Sequence, residues 1–197
     1  MMETENALFD KADLDEAIAV LKAGGVILYP TDTVWGLGCD ATNPEAVARV
    51  FAIKRRAESK TMVTLVADAD MLGRYVKVIP EVAINLIEVN DRPMTIVYPD
   101  GVNLAPGVLA EDGTAAIRIP SGSDFCVQLI RRFGKAIVST SANYSGEPTP
   151  TYYEDIPVEI IDAADWVADP CIQAGSTGEP SQIIKVGLHG EIQILRG

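Results

Sequence analysis

Side chains able to do chemistry gather at a few places in this chain of 197 residues. Residues 29–38 (YPTDTVWGLG) and 139–146 (STSANYSG) set Thr, Ser and Asn among glycines. Such side chains are short, stiff donors and acceptors, and glycine lets backbone approach a ligand. The combination suits a polar small molecule, and the same composition also builds ordinary turns. Between these segments, Lys54, Arg55 and Arg56 are followed closely by Lys60. Lysine as a point charge and arginine as a bidentate fork suit a polyphosphate. Cations ending a helix also interact favourably with its dipole, the plainer account of one or two of them. Arg118 stands in an otherwise apolar AIRIP. An arginine inside a sheet must meet an anion, so Arg118 is either a carboxylate clamp or a residue on a solvent-facing edge.

These groups need a frame, and the pattern predicts alternating helices and strands. Asp13 with Glu16 reads as a capping box ahead of an apolar stripe through Leu14, Ala17, Ile18 and Leu21, ended by Gly24-Gly25. Residues 26–29 read as a strand. Asn43-Pro44 opens a helix whose stripe of Val47, Val50 and Phe51 runs to Lys54. Strands are expected at 62–66, 95–98, 115–119 and 136–139, with short helices at 70–75 and 80–87. A further helix, capped by Ser123, is expected to run to Arg132 and stop at Gly134. Residues 182–186 and 191–195 read as a closing hairpin around His189. The expectation is one α/β domain over residues 1–197 with a mixed sheet, since no repeat or linker divides the chain.

Composition removes several functions. A formal net charge of −12 argues against a broad nucleic-acid-binding face, which needs a basic field. No apolar run approaches the ~20 residues of a membrane helix, and the acidic N-terminus does not read as a signal peptide. The three widely spaced cysteines lack a C-x-x-C, and His189 is the sole histidine. Zinc is therefore not expected, and a reduced cytoplasmic protein is. There is no P-loop, complete dinucleotide fingerprint or G-x-S-x-G elbow. Fixed cations and hydroxyls are what remain.

Taken in order, YPTDTVWGLG, Lys54-x-Arg56, AIRIP and STSANYSGEPTPT resemble the YrdC-like family of threonylcarbamoyl-AMP synthases over most of the chain. The length is similar to that of the family's single-domain TsaC branch. The resemblance implies a twisted α/β fold with a deep concave ligand site. It also implies a reaction: L-threonine, bicarbonate and ATP give threonylcarbamoyl-adenylate and pyrophosphate, for modification of adenosine beside the tRNA anticodon. Mg2+ would arrive with ATP, without a dedicated protein site. Partners implied are tRNA or double-stranded RNA and other tRNA-modification proteins, with no membrane.

Carried over by motif, the catalytic tetrad falls on Lys54, Arg56, Ser141 and Asn143. ATP contacts fall on Arg56, Lys60, Thr114, Asn143, Thr151 and Arg196. Threonine contacts fall on Thr33, Arg118, Ser141 and Ser181. In this reading Lys54 and Arg56 hold the phosphates, so loss of Lys54 is expected to depress turnover and spare stability. The pattern departs from the family's usual one at Trp35, at Leu65 (often polar there) and at NDRPMT, residues 90–95. Three alternatives stay open: a YciO-type paralogue, a non-catalytic module binding nucleotide or double-stranded RNA, and a carbamoyl-adenylate module like that of HypF.

Overall fold

The computed structural model describes residues 9–55, 62–121, 124–173 and 175–197, with the side chain of Asp124 left aside. Arg56, Lys60 and Ser123 lie outside the described residues.

The chain opens on helix α1 (Lys11–Lys22), which buries Leu14, Ala17, Ile18 and Leu21 as its stripe predicts. Its N-cap is Asp10, not Asp13. The Asp10 carboxylate accepts from the backbone of Ala12 and Asp13, and Asp13 at N3 reaches back to the Asp10 amide. The capping box is thus one turn upstream of the expected one, and Glu16 instead accepts from the indole of Trp166. Strand β1 (Ile27–Pro30) turns through residues 31–34 into β2 (Trp35–Asp40), both fully buried. Helix α2 (Pro44–Ile53) starts as expected, with the Asn43 side chain accepting from Glu45 and Ala46. After it come β3 (Thr64–Leu65), α3 (Ala69–Leu72), α4 (Glu81–Val89), β4 (Met94–Tyr98) and β5 (Ala115–Arg118). The remaining elements are α5 (Asp124–Phe133), β6 (Ile137–Ser141), α6 (Val158–Ala163), β7 (Trp166–Val167), β8 (Gln182–Val186) and β9 (Ile192–Arg196).

All nine strands join one mixed sheet, in the order β7-β1-β2-β6-β3-β5-β4-β8-β9. Helices α1 and α5 pack together beside β1 and β2, with Phe125 edge-on to Phe9 and stacked on Trp166. Close approach of β1, β2 and β6 depends on glycine in β2. A Cβ at Gly38 would meet the Tyr29 ring at 2.6 Å and the Val138 carbonyl at 2.9 Å. Cys39 and Cys126 are buried and Cys171 is exposed, and none of the three is in a disulfide. Burial pushes the Cys39 thiol up to about 12, so it stays protonated and acts as a small apolar side chain. No described helix is long and apolar enough to cross a membrane.

Sheet order settles the position of Arg118. β5 lies between β3 and β4, so Arg118 is interior and only 5% exposed, not on an edge. Leu65, opposite Arg118 in the β3–β5 register, is fully buried in the core.

Candidate active site

The turn at residues 31–34 is polar and nevertheless buried, so its groups must find partners within the protein. The Thr31 hydroxyl donates to the Val34 carbonyl at 2.9 Å and lies 2.9 Å from the Thr33 hydroxyl. A strap at residues 176–178 closes over the turn. Ser176 donates its hydroxyl to the Thr31 carbonyl, Thr177 N donates to Asp32 O at 3.0 Å, and Gly178 N to Thr33 O at 2.8 Å.

Arg118 reaches this turn from the end of β5. It donates from Nη1 to Thr33 Oγ1 at 3.0 Å and from Nη2 to Thr31 Oγ1 at 3.4 Å. Its Nη2 is also 3.2 Å from Asp32 Oδ1, with Asp32 only 2% exposed. That oxygen makes no aligned hydrogen bond among the described residues, so the pair is held by charge more than by geometry. Arg118 Nε is buried with no hydrogen-bond partner among the described residues.

In front of Arg118 lies a cavity of about 200 Å3. Thr31, Thr33, Ser139, Thr140, Ser141 and Ser181 supply its hydroxyls, while Val34, Met62, Val63 and Ile183 supply its apolar wall. Arg196 closes one side. Opposite β8 the register slips by one residue: Ile184 faces Ile194, but Ile183 faces Arg196, leaving Leu195 extra. This bulge turns Arg196 onto the cavity face, where its Nε and Nη2 both donate to the Ser181 carbonyl, at 2.9 and 2.6 Å. Desolvation first, and the Arg118 guanidinium second, lower the Arg196 pKa. Two guanidiniums thus meet over a cavity whose described lining holds no carboxylate. Such a field favours an anionic ligand.

A second cavity of about 370 Å3 adjoins the first, with Thr149 on both. Asn143, Glu147, Thr151 and Asp155 line it. The Asn143 amide donates to the carbonyls of Tyr144 (3.0 Å) and Glu147 (2.7 Å). Its Oδ1 is buried without a hydrogen-bond partner among the described residues, an acceptor waiting for a donor. A third groove of about 430 Å3, between α2 and residues 106–111, has Glu111 as its one charged lining residue and lies apart from Arg118.

Thr33, Ser141, Arg118, Ser181 and Arg196 therefore line one cavity, and Asn143 and Thr151 line its neighbour. Thr114 stands apart, at the opposite end of β5. Four residues at ~3.3 Å each put it about 13 Å from Arg118, and its hydroxyl donates to Asp112 at 2.6 Å. Lys54 reaches the Ser/Asn loop. It caps the C-terminus of α2, is 1% exposed, and donates from Nζ to the backbone carbonyls of Ser141 and Asn143, the latter at 2.7 Å. The Lys54 carbonyl in turn accepts from Ser145 N at 3.0 Å. Arg55, at φ 49°, lies over the Tyr144 ring at 4.2 Å, a cation–π contact. The end of α2 and the Ser/Asn loop are thereby latched together. Asp32, Thr95 and the strap at 176–178 escaped sequence reasoning. For Asp32 the available signal was its place between two threonines of one hydroxyl-rich turn. Among the described residues no cluster of three or more His, Cys, Asp or Glu side chains could hold a metal ion.

A profile of the Sua5/YciO/YrdC family, described as telomere recombination, matches residues 19–197. A threonylcarbamoyl-AMP synthase of Stenotrophomonas maltophilia (strain K279a) is 35% identical over 173 residues, which are 86% of this chain and 91% of that protein. One from Halorhodospira halophila is 39% identical over 130 residues, 66% of this chain and 68% of its own length. Among solved structures, P. abyssi Sua5 complexed with L-threonine superposes with a TM-score of 0.80 at 27% identity. That match covers 90% of this chain and 52% of the solved one, so this chain spans about half of that protein's length. E. coli YciO shares the fold, with a TM-score of 0.78 at 22% identity over 95% of this chain and 89% of its own.

Proposed function

The chain belongs to the Sua5/YciO/YrdC family, and from that premise we propose that it is a threonylcarbamoyl-AMP synthase. It would act in the cytoplasm on L-threonine, bicarbonate and ATP, and its product would serve tRNA modification with partner proteins of that pathway. One observation carries this reading: Arg118 and Arg196 converge on a hydroxyl-lined cavity with no carboxylate among its described lining residues. At about 200 Å3 the cavity is smaller than the ~300–1,000 Å3 of drug-sized sites. It suits an amino acid, and the adjoining cavity at Asn143 and Thr151 suits part of a nucleotide.

Arg118 would grip the threonine carboxylate, and the apolar wall of Val34, Met62, Val63 and Ile183 would take its methyl group. The threonine amine, having lost its ammonium proton, would bond to the carbon of CO2 formed as bicarbonate gives up hydroxide. The nitrogen would then lose a second proton, which that hydroxide takes up as water. The carboxylate so formed would attack the α-phosphorus of ATP as the bond to pyrophosphate breaks. Attacking and leaving oxygens lie roughly in line, so positioning and charge neutralisation dominate. Arg196 would neutralise charge beside the cavity, and Arg56 and Lys60, by family resemblance, would face the phosphates. Mg2+ would enter bound to ATP, keeping mostly water ligands.

The decisive assay follows pyrophosphate with ATP, Mg2+, bicarbonate and L-threonine, leaving out each in turn. Release should need all of them. Release indifferent to threonine or bicarbonate would sink the synthase reading.

A further inference from the structure

Thr95 sits on β4 with no exposed surface. Its hydroxyl has one hydrogen-bond partner among the described residues, Ser181 Oγ at 2.8 Å. Ser181 is 4% exposed and lines the smaller cavity. Its backbone is already pinned, because its carbonyl accepts both donors of Arg196. What remains to be decided is which hydroxyl gives its proton to the other. If Ser181 donated to Thr95, the Thr95 O–H would be buried with no acceptor, which costs the desolvation of that group. If Thr95 donates, every group is satisfied except the Ser181 O–H. That proton then points to the one place where an acceptor can arrive, the cavity.

We propose that Thr95 is a positioning residue: by donating to Ser181 it turns the Ser181 O–H into the cavity as a donor to a substrate oxygen. The inference rests on the amino-acid substrate proposed above. With Arg118 assigned to the carboxylate, the oxygen that Ser181 meets is the substrate's side-chain hydroxyl. Thr95 thereby becomes a determinant of specificity at one remove. A site that presents a buried donor disfavours an analogue that cannot accept from it.

The experiment compares L-threonine with L-2-aminobutyrate, which lacks the hydroxyl, in the pyrophosphate assay with wild type, Thr95→Val, Thr95→Ser and Ser181→Ala. Valine keeps the β-branched shape of threonine in the strand and removes the donor. Thr95→Val should raise the threonine KM by roughly fivefold or more, the loss of one neutral hydrogen bond. The KM values of 2-aminobutyrate and ATP should stay within twofold, and thermal midpoints should show that the variant is folded. Thr95→Ser should restore the threonine KM. Adding Thr95→Val to Ser181→Ala should cost little more than Ser181→Ala alone, because the first acts through the second. Equal losses for threonine and 2-aminobutyrate, an unchanged threonine KM, or additivity of the two substitutions would each overturn the proposal. A wild-type protein that needs no threonine would instead overturn the synthase reading, and this inference with it.

Discussion

Asp32 and Arg118 form a buried pair whose energetics run against intuition. Removing two charges from water is expensive, so such a pair is weak evidence for stability. Removing one partner is different, because the other is left buried and uncompensated. Asp32 is 2% exposed and Arg118 5%, and the Asp32 second oxygen also accepts from Ser121 N at 3.2 Å. Asp32→Ala should therefore destabilise the protein by about 3 kcal/mol, read as a lower urea midpoint at unchanged slope. It should also weaken threonine use, since Arg118 loses the carboxylate that orients it. A midpoint close to wild type would show that the cavity is wet enough to screen Arg118. The residue scale is also where the sequence was least legible. Arg118 was conspicuous as a cation in an apolar strand, but Asp32 resembled any turn aspartate. Its burial depends on distant segments: Arg118 and Ser121 meet its carboxylate, and the strap at residues 176–178, about 145 positions away, covers the turn's backbone.

At the scale of elements, the start of α2 and most strands were legible because their signals are local. Asn43-Pro44 set the start of α2, and residues 115–119 read as a strand, of which Ala115–Arg118 form β5. No strand was expected in the second half of residues 29–38, which forms β2, because its glycines answer to close packing against Tyr29 and β6, a tertiary demand. The short α6 and β7 also escaped, having too few residues for a periodic pattern. Lys54 is the sharpest case. In sequence it is one cation of a cluster, whereas in the structure its ammonium ties the Ser/Asn loop to the end of α2. Lys54→Met keeps the length of the side chain and removes those donors. It should lower stability by roughly 2 kcal/mol, as two buried carbonyls lose charged donors. It should also raise the KM for ATP through the displaced loop carrying Asn143. Unchanged stability with reduced turnover would return Lys54 to the phosphate-binding role that the sequence first suggested.

Across the whole molecule, the sheet is protected at one end and open at the other. β7, at the first edge, is two residues long and follows α6, whereas β9 at the far edge is exposed along its whole length. Ile192, Ile194 and Leu195 are 52%, 69% and 50% exposed there, a row that a solvated edge strand normally avoids. The bulge at Leu195 breaks the regular ladder near the C-terminus of the strand, and the same bulge brings Arg196 to the cavity. One irregularity therefore serves both the site and the edge. Residues 192–194 precede it and keep a regular edge on which Ile192 and Ile194 are exposed, with no charged side chain of their own. A charge there should act as a gatekeeper without touching the core. Ile194→Lys is expected to leave the thermal midpoint and the threonine KM at wild-type values while raising the concentration at which light scattering first detects association. If instead the substitution lowers the midpoint by several degrees, Ile194 packs against the body of the protein in solution, and β9 is not the open edge of the sheet.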